Sequence, residues 1–202
     1  MSRKTKIAIA HTLVISICLV GVYFAFFYSA DYPDTLPPGQ VPSLILPFYD
    51  FSNVTKIGEY GWGRVDYFHP GFDFRVNETT SIVAPCNAYV SFIQRNWHQE
   101  GGDYQTNVNL WLNKQWELCL VFESGVKNAT AGALQSDAVP VILGQYIAQN
   151  QSVGNLLVHG PLSQVHFGIW SYGEWVCPHD YFTPLARDIF DTQFALKGLN
   201  KS

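Results

Sequence analysis

The sequence predicts an all-β domain, an antiparallel β-sheet with an open barrel-like core, preceded by one N-terminal transmembrane helix. Aromatic residues make up 15% of the 202 residues, Gly and Pro number 16 and 11, and there is a single Met. This composition favours short strands joined by turns over a helix bundle. A long apolar stretch at the N-terminus predicts the helix, and the remaining length suits one domain.

Residues 7–28 form this apolar stretch. At about 1.5 Å per residue, a helix of this length crosses a hydrocarbon core of roughly 30 Å. Three basic residues precede the stretch and Asp31 and Asp34 follow it, so the positive-inside rule predicts a cytoplasmic N-terminus and an extracytoplasmic C-terminal domain. A cleaved signal peptide is the alternative, but its apolar core is normally about 7 to 15 residues long, and bulky Tyr28 lies where a small residue is preferred.

The predicted organisation has four parts. Residues 1–30 form a cytoplasmic tip and the membrane anchor, and residues 31–50, which contain five prolines, form a spacer. The β domain covers residues 51–185. Residues 186–202 form a tail, for which apolar residues at near-helical spacing predict a short helix.

From residue 81 onward, short runs rich in β-branched and aromatic residues alternate with turn signals, which is typical of antiparallel strands. The runs are SIVAP, AYVSFI, NVNLWL, WELCLVF, VPVILGQYIA, NLLVHG and QVHFGIW. Between the fourth and fifth runs, residues 128–140 are small and polar, and they predict a loop insertion.

Charge and asparagine patterns bear on the partners. A net charge of -4 with only 12 Lys and Arg lacks the basic surface that nucleic-acid binding requires. Five Asn-x-Ser/Thr patterns predict N-glycosylation of an exported domain, with accidental enrichment as the alternative. These candidate sites are Asn53, Asn77, Asn128, Asn150 and Asn200.

Three cysteines, Cys86, Cys119 and Cys177, follow the predicted span. No Cys-x-x-Cys spacing indicates a zinc ribbon or a redox centre. We expect one disulfide and one buried thiol, and the sequence leaves the pairing open.

Two short elements carry candidate metal ligands. In the first, His69 and Asp73 are four residues apart, so their side chains lie on the same side of an extended chain. In the second, Gln164 and His166 share one face of a predicted strand whose other face is apolar. Two imidazoles and one carboxylate leave a fourth zinc position for water, as in catalytic zinc sites.

These elements resemble the lysostaphin-type, or LytM-family, zinc endopeptidases, whose signature is His-x-Gly-x-Asp, then several strands, then His-x-His-Phe. The resemblance extends from about residue 61 to residue 182 and includes HPGFDF, IVAPCNAYV, VILGQYI and the His166-Phe167 pair. It implies that His69, Asp73 and His166 bind one Zn²⁺ per chain.

The chain departs from the family at two catalytic positions. Gln164 lies where the family has the first His of His-x-His, and VFES at residues 121–124 replaces a Tyr-x-His-Leu strand end. Glu123 can serve as a proton acceptor, Gln164 as a hydrogen-bond donor to a developing oxyanion, and His159 as an acid or a further ligand.

Two functions therefore remain open. The first is a zinc-dependent hydrolase, similar to a metalloendopeptidase, that cleaves an extracellular peptide, cell-wall or glycoprotein polymer from its membrane anchor. The second is a catalytically inactive binding or scaffold module that zinc stabilises. Retained ligands favour the enzyme, whereas the missing imidazoles favour the module.

Overall fold

Alternating apolar and polar residues along the predicted strands build one large antiparallel sheet. The computed structural model describes residues 32–64, 67–98 and 102–198. The predicted membrane helix at residues 7–28 and the candidate glycosylation site Asn200 lie outside these ranges. Within them, no helix combines the length and the apolar character needed to cross a membrane.

The strands are short and follow one another closely along the chain. They are β1 (Val54–Gly58), β2 (Gly61–Arg64), β3 (Tyr67–His69), β4 (Gly71–Val76), β5 (Thr80–Val83), β6 (Ala88–His98), β7 (Tyr104–Trp111), β8 (Trp116–Glu123), β9 (Tyr146–Ile147), β10 (Ser152–Leu156), β11 (Gln164–Ser171) and β12 (Glu174–Val176). In the same described ranges, two α-helices, α1 (Ala129–Asp137) and α2 (Pro184–Lys197), and a 3₁₀ helix (Pro178–Tyr181) accompany them.

The main sheet has the strand order β1-β4-β11-β8-β7-β6-β9, and β12 pairs with β11 beside this path. All of its pairings are antiparallel. The sheet curls into a half-barrel. Strands β5 and β10 form a second pair, and β2 and β3 a third. The predicted antiparallel, β-rich fold is confirmed.

The central strand β11 separates an apolar face from a polar one. Val165, Phe167 and Ile169 are fully buried. Because side chains alternate along a strand, Gln164 and His166 lie on the opposite face. The sheet therefore presents its polar face, rather than its core, at the place where the candidate ligands occur.

Helix α2 covers the apolar face through an aromatic cluster. Thr183 caps the helix by accepting a hydrogen bond from the backbone N–H of Ala186, and Pro184 follows at the first helical position. Phe190 then packs against Phe72, with ring centroids 4.6 Å apart. Helix α2 overlaps the C-terminal tail, whose apolar spacing predicts a short helix.

The proline-containing segment before β1 packs on the same core. Leu44, Leu46 and Phe48 are buried, and the backbone N–H of Thr35 donates to the carbonyl of Leu112 at 2.8 Å. From residue 32 onward this segment is part of the packed domain. Its relation to a membrane stays a prediction.

Most of residues 128–140 form a helix and not the predicted loop insertion. This helix is α1, and the Asn128 side chain caps it at the backbone N–H groups of Thr130 and Ala131. The residues that α1 buries, among them Gly132 and Gln135, are small or polar. An amphipathic pattern, the usual sequence signal for a helix, is therefore absent here.

Among the described residues, the cysteines do not form the expected disulfide. Cys86, Cys119 and Cys177 are all free thiols, and burial raises the pKa of Cys86 and Cys119 to about 12. Such thiols are uncharged at neutral pH and pack as small apolar groups.

Of the four candidate glycosylation sites that the structure describes, Asn77, Asn128 and Asn150 are exposed. Asn53 is half-buried, and its amide donates to the Thr80 hydroxyl at 3.3 Å. Three of the four are thus accessible, and their modification stays a prediction.

Candidate metal centre

The strand register brings the two sequence elements together. Asp73 on β4 lies directly opposite His166 on β11. Phe72 and Phe74 enter the core, so Asp73 between them points to the polar face with His166. His69 ends β3, just before β4 begins at Gly71. His69 and Asp73 therefore meet the sequence-distant His166 at one point of the sheet.

The distances within this cluster are short. Asp73 Oδ1 lies 3.1 Å from His69 Nε2 and 2.9 Å from His166 Nδ1. One nitrogen or oxygen atom from each of the three residues lies within 4.8 Å of the other two. The side chains of His69, Asp73 and His166 are 15%, 24% and 11% exposed. Solvent can reach the cluster, which lies at the surface of the polar face.

The orientation of the His69 ring indicates which of its nitrogens is free to bind a cation. His69 Nδ1 lies 2.7 Å from the backbone carbonyl of Glu59, and a carbonyl only accepts, so Nδ1 carries the proton. In the neutral ring, the lone pair of Nε2 then faces Asp73 Oδ1. Two electron pairs face each other, and a proton or a metal cation between them removes the repulsion.

His166 packs against a glycine. A Cβ atom at Gly71 would lie 2.8 Å from Cε1 and Nε2 of the His166 ring and 2.4 Å from the backbone carbonyl of Phe167. Both distances are well below van der Waals contact. Gly71 therefore provides the space in which the imidazole lies beside Asp73.

The cluster alters the protonation of its members. Burial alone would raise the pKa of Asp73, but hydrogen bonds from His166 and His69 outweigh it and hold that pKa well below its usual range. Burial likewise opposes protonation of His69, and the hydrogen bond to Asp73 reverses this and raises its pKa. Asp73 is thus a carboxylate at neutral pH, with both imidazoles directed at it.

A chain of polar side chains continues from the cluster. Gln164, two residues from His166 on the same face, donates from Nε2 to Glu123 Oε2 at 3.0 Å. Its Oε1 atom accepts from Arg75 Nε at 3.3 Å. Gln164 faces Arg75 on β4 and Glu123 on β8 in the strand register. Sequence reasoning missed Arg75, although its alternation with Asp73 along β4 places both on one face.

The carboxyl group of Glu123 has an unusually high pKa. Burial is the main cause, and the negative charges of Asp73 and Asp103 add to it, raising the pKa of Glu123 to about 8. Its hydrogen bond from Gln164 acts in the opposite direction but is weaker. Glu123 therefore gains and loses its proton close to neutral pH.

The third predicted catalytic residue, His159, lies in the loop between β10 and β11. Its backbone N–H donates to the Ser163 hydroxyl at 3.0 Å, and its ring atom Nε2 is buried without a hydrogen-bond partner among the residues described. His159 does not belong to the cluster of His69, Asp73 and His166.

The donor set fits zinc. Two imidazole nitrogens and one carboxylate oxygen are zinc ligands, and three protein ligands leave one tetrahedral position free. The Glu59 carbonyl orients His69 in the way that outer hydrogen-bond partners orient metal-binding histidines. In a tetrahedral site two ligand atoms lie about 3.4 Å apart, so the 4.8 Å spread closes with side-chain movements of about 1.5 Å.

The domain is a curled antiparallel sheet with an open His-Asp-His cluster on its polar face. Comparison with solved structures finds proteins that are similar to it in fold. Csd3 from Helicobacter pylori is similar over 77% of this chain and 42% of its own, with 19% identity and a TM-score of 0.50. A zinc-containing peptidase from Vibrio cholerae is similar over 67% of this chain and 39% of its own, with 13% identity and a TM-score of 0.48.

The antimicrobial peptidase lysostaphin from Staphylococcus simulans is similar over 64% of this chain and 48% of its own, with 19% identity and a TM-score of 0.40. This chain therefore spans less than half the length of each of the three proteins. No protein-family model matches the sequence, and no curated protein matches it. The likeness concerns the fold, and at that level the lysostaphin-type resemblance expected from the sequence is confirmed.

Proposed function

We propose that this protein is a zinc-dependent hydrolase, similar to a metalloendopeptidase, that cleaves an amide bond in a peptide or a cell-wall-type polymer. His69, Asp73 and His166 hold the single zinc ion. The observation that carries the proposal is the convergence of their three ligand atoms within 4.8 Å at a partly exposed point of the polar face. A purely structural zinc site is more often closed by four protein ligands.

Zinc bound by three protein ligands supplies a Lewis acid and lowers the pKa of a bound water to about 7. The protein's own residues then position and move protons. Without metal the pKa of Glu123 is raised to about 8, and the positive charge of bound zinc lowers it, so Glu123 accepts a proton as a carboxylate and then returns it.

Gln164 has the second role. Its amide nitrogen donates to Glu123 Oε2, and this bond fixes the orientation of the carboxyl group. The same amide can donate to an oxygen that gains negative charge, but it neither takes nor supplies a proton at neutral pH. His159 stays a weaker candidate for an acid, because its unpartnered Nε2 is buried within its loop.

A second function, a zinc-stabilised binding module without catalysis, is favoured by one observation. Glu123 and Gln164 are hydrogen-bonded to each other, and Gln164 also accepts from Arg75. A network of this kind can stabilise the sheet without any part in a reaction. Zinc would then hold β4 to β11.

The location of the protein is part of the proposal. The apolar stretch at residues 7–28 anchors the chain in a membrane, with the β domain on the extracytoplasmic side. Its substrate is then an extracellular peptide, cell-wall or glycoprotein polymer. Fractionation of membranes and protease protection of the intact chain test this location.

Metal content distinguishes the two functions when it is measured together with cleavage. The purified full-length chain is compared with a His166→Ala variant for zinc, and both are assayed on cell-wall peptides and glycine-rich peptides. We expect one zinc per chain, its loss in the variant, and cleavage that stops when zinc is removed. Zinc without cleavage favours the binding module, and absence of zinc refutes the site.

A further inference from the structure

A cavity opens on the polar face beside the metal centre. It has a volume of about 280 Å³. Its lining includes Arg75, Glu123 and Gln164, which are joined by the hydrogen bonds described above, and the loop that follows β8. The charged residues of its lining are Arg75, Asp103, Glu123 and Lys127.

The cavity lies close enough to the metal centre to receive a neighbouring part of the same substrate. Arg75 is two residues from Asp73 along β4, and Gln164 is two residues from His166 along β11. Two residues of a strand span about 7 Å. Consecutive Cα atoms of a peptide are 3.8 Å apart, so a group on the residue next to a scissile bond reaches this distance.

Two cations line the cavity without an ion-pair partner. In the part of the chain that the structure describes, neither Arg75 nor Lys127 forms a salt bridge. Arg75 uses only Nε, in its bond to Gln164, so its two terminal nitrogens remain available as donors. A guanidinium with two free terminal N–H groups is suited to a carboxylate.

The two acidic residues of the cavity are held by neutral donors. Asp103 accepts hydrogen bonds from the backbone N–H of Gly125 at 2.6 Å and from Gln105 at 3.4 Å. Glu123 accepts from Gln164. Among the described residues, neither carboxyl group forms a salt bridge with Arg75 or Lys127, so both cations stay available to a ligand.

We propose that this cavity binds a carboxylate of the substrate, located on the residue next to the scissile bond, through Arg75 and Lys127. The proposal rests on the hydrolase function proposed above and narrows its substrate to a peptide that carries a carboxylate at this position. The carboxylate is either the chain end or an Asp or Glu side chain, and both sources present the same group to the guanidinium.

Direct binding to the metal-free, full-length chain tests the proposal, because a carboxylate cannot then be held by zinc. The probes are two matched pairs of peptides. Acetyl-triglycine is compared with its C-terminal amide, and acetyl-Gly-Asp-Gly-amide with acetyl-Gly-Asn-Gly-amide. Dissociation constants come from ligand-observed NMR titration. Arg75→Gln and Lys127→Gln remove the two cations, and Lys114→Gln removes a cation of the turn between β7 and β8 as a control.

We expect at least one carboxylate peptide to bind about tenfold more tightly than its amide, as a charge-assisted hydrogen bond implies. Arg75→Gln should reduce this preference to less than about twofold, and Lys114→Gln should leave it unchanged. The pair that shows the preference identifies the source of the carboxylate.

Equal affinities in both pairs overturn the proposal, and so does a preference that survives both Arg75→Gln and Lys127→Gln. Because neither zinc nor cleavage enters this measurement, a protein that fails to hydrolyse any peptide can still show the preference. Conversely, a zinc-dependent hydrolase without the preference refutes only the carboxylate site.

Discussion

Glu123 is the residue whose protonation decides between the two proposed functions. A carboxylate that takes a proton from water becomes an acid that can return this proton to a leaving amine. In the metal-free protein, burial and the nearby Asp73 and Asp103 raise the pKa of Glu123 to about 8, which makes its protonated form easier to reach. If Glu123 only supports the sheet, its loss affects stability rather than turnover.

Glu123→Gln should lower zinc-dependent cleavage by about 10² to 10⁴-fold, the usual contribution of a general acid-base group. Gln keeps the size of the side chain and a hydrogen bond to Gln164, so zinc content should be unchanged. The measurement is kcat on a cleaved peptide, together with zinc per chain. Glu117→Gln is the matched control, since Glu117 lies on the same face of β8 but bonds to the Ser91 hydroxyl. Equal loss of activity in both variants would argue against a specific role for Glu123.

The sequence predicted the cluster of metal ligands but not the hydrogen bonds that join Gln164, Glu123 and Arg75 beside it. His69, Asp73 and His166 could be selected because their residue types and order match a signature. The bond between Gln164 and Glu123 depends on the pairing of β11 with β8, and Arg75 joins through the pairing of β11 with β4. Strand pairing is a long-range property that the local sequence does not contain.

At the scale of the elements, the close packing of β4 against β11 at Gly71 determines where the metal ligand His166 lies. Gly71→Ala should prevent His166 from lying beside Asp73, because the new Cβ would overlap the ring and the Phe167 carbonyl. We expect zinc affinity to fall at least tenfold and the free energy of unfolding to fall by about 1 to 3 kcal/mol. Zinc titration and urea unfolding measure the two effects.

Gly173→Ala provides the comparison. Gly173 has φ +81° in the turn between β11 and β12, and a Cβ there would meet nothing within 4 Å. This variant should lose about 1 kcal/mol through backbone strain and keep its zinc affinity. If zinc affinity falls equally in both variants, the effect of Gly71 is general destabilisation and not local packing.

Helix α1 is the element that the sequence did not predict, since its buried residues are small and polar and its end signal is a single capping residue. Asn128→Ala should lower the free energy of unfolding by about 1 kcal/mol, because two backbone N–H groups lose their acceptor. Asn128→Asp keeps the cap and should change stability by less than about half as much. Both variants remove the glycosylation pattern, so a mobility shift shared by both in a eukaryotic host reports the glycan alone.

At the scale of the whole molecule, the sequence predicted the type of fold but not the limits of the packed domain. The strands from β5 to β8 and β11 coincide with the apolar runs, because alternation is a local signal. Residues 32–48 contain too many prolines to resemble an element, yet Leu44 and Phe48 are buried by contact with distant strands. Burial of an irregular segment follows from tertiary packing, which periodicity does not show.

The stability of the whole domain should depend on pH, in a direction set by the shifted pKa values of Glu123, His69 and Asp73. The raised pKa of Glu123 means that the folded state prefers the protonated form. Its contribution is complete below the unfolded value of 4.5 and is lost as the pH rises through about 8. The raised pKa of His69 acts in the same direction. The lowered pKa of Asp73 contributes stability that is lost only as the pH falls below its ordinary value.

The metal-free protein should therefore lose stability between pH 5 and pH 8.5, by on the order of a few kcal/mol. Urea unfolding in the presence of a chelator measures this loss, and Glu123→Gln should reduce it because Gln does not titrate. Zinc should reverse the trend, since its ligands bind only when deprotonated and its stabilisation grows with pH. A loss of stability that is the same in the Glu123→Gln variant would show that Glu123 is not the group responsible. Zinc that stabilises equally at both pH values would argue against ligation by His69 and His166.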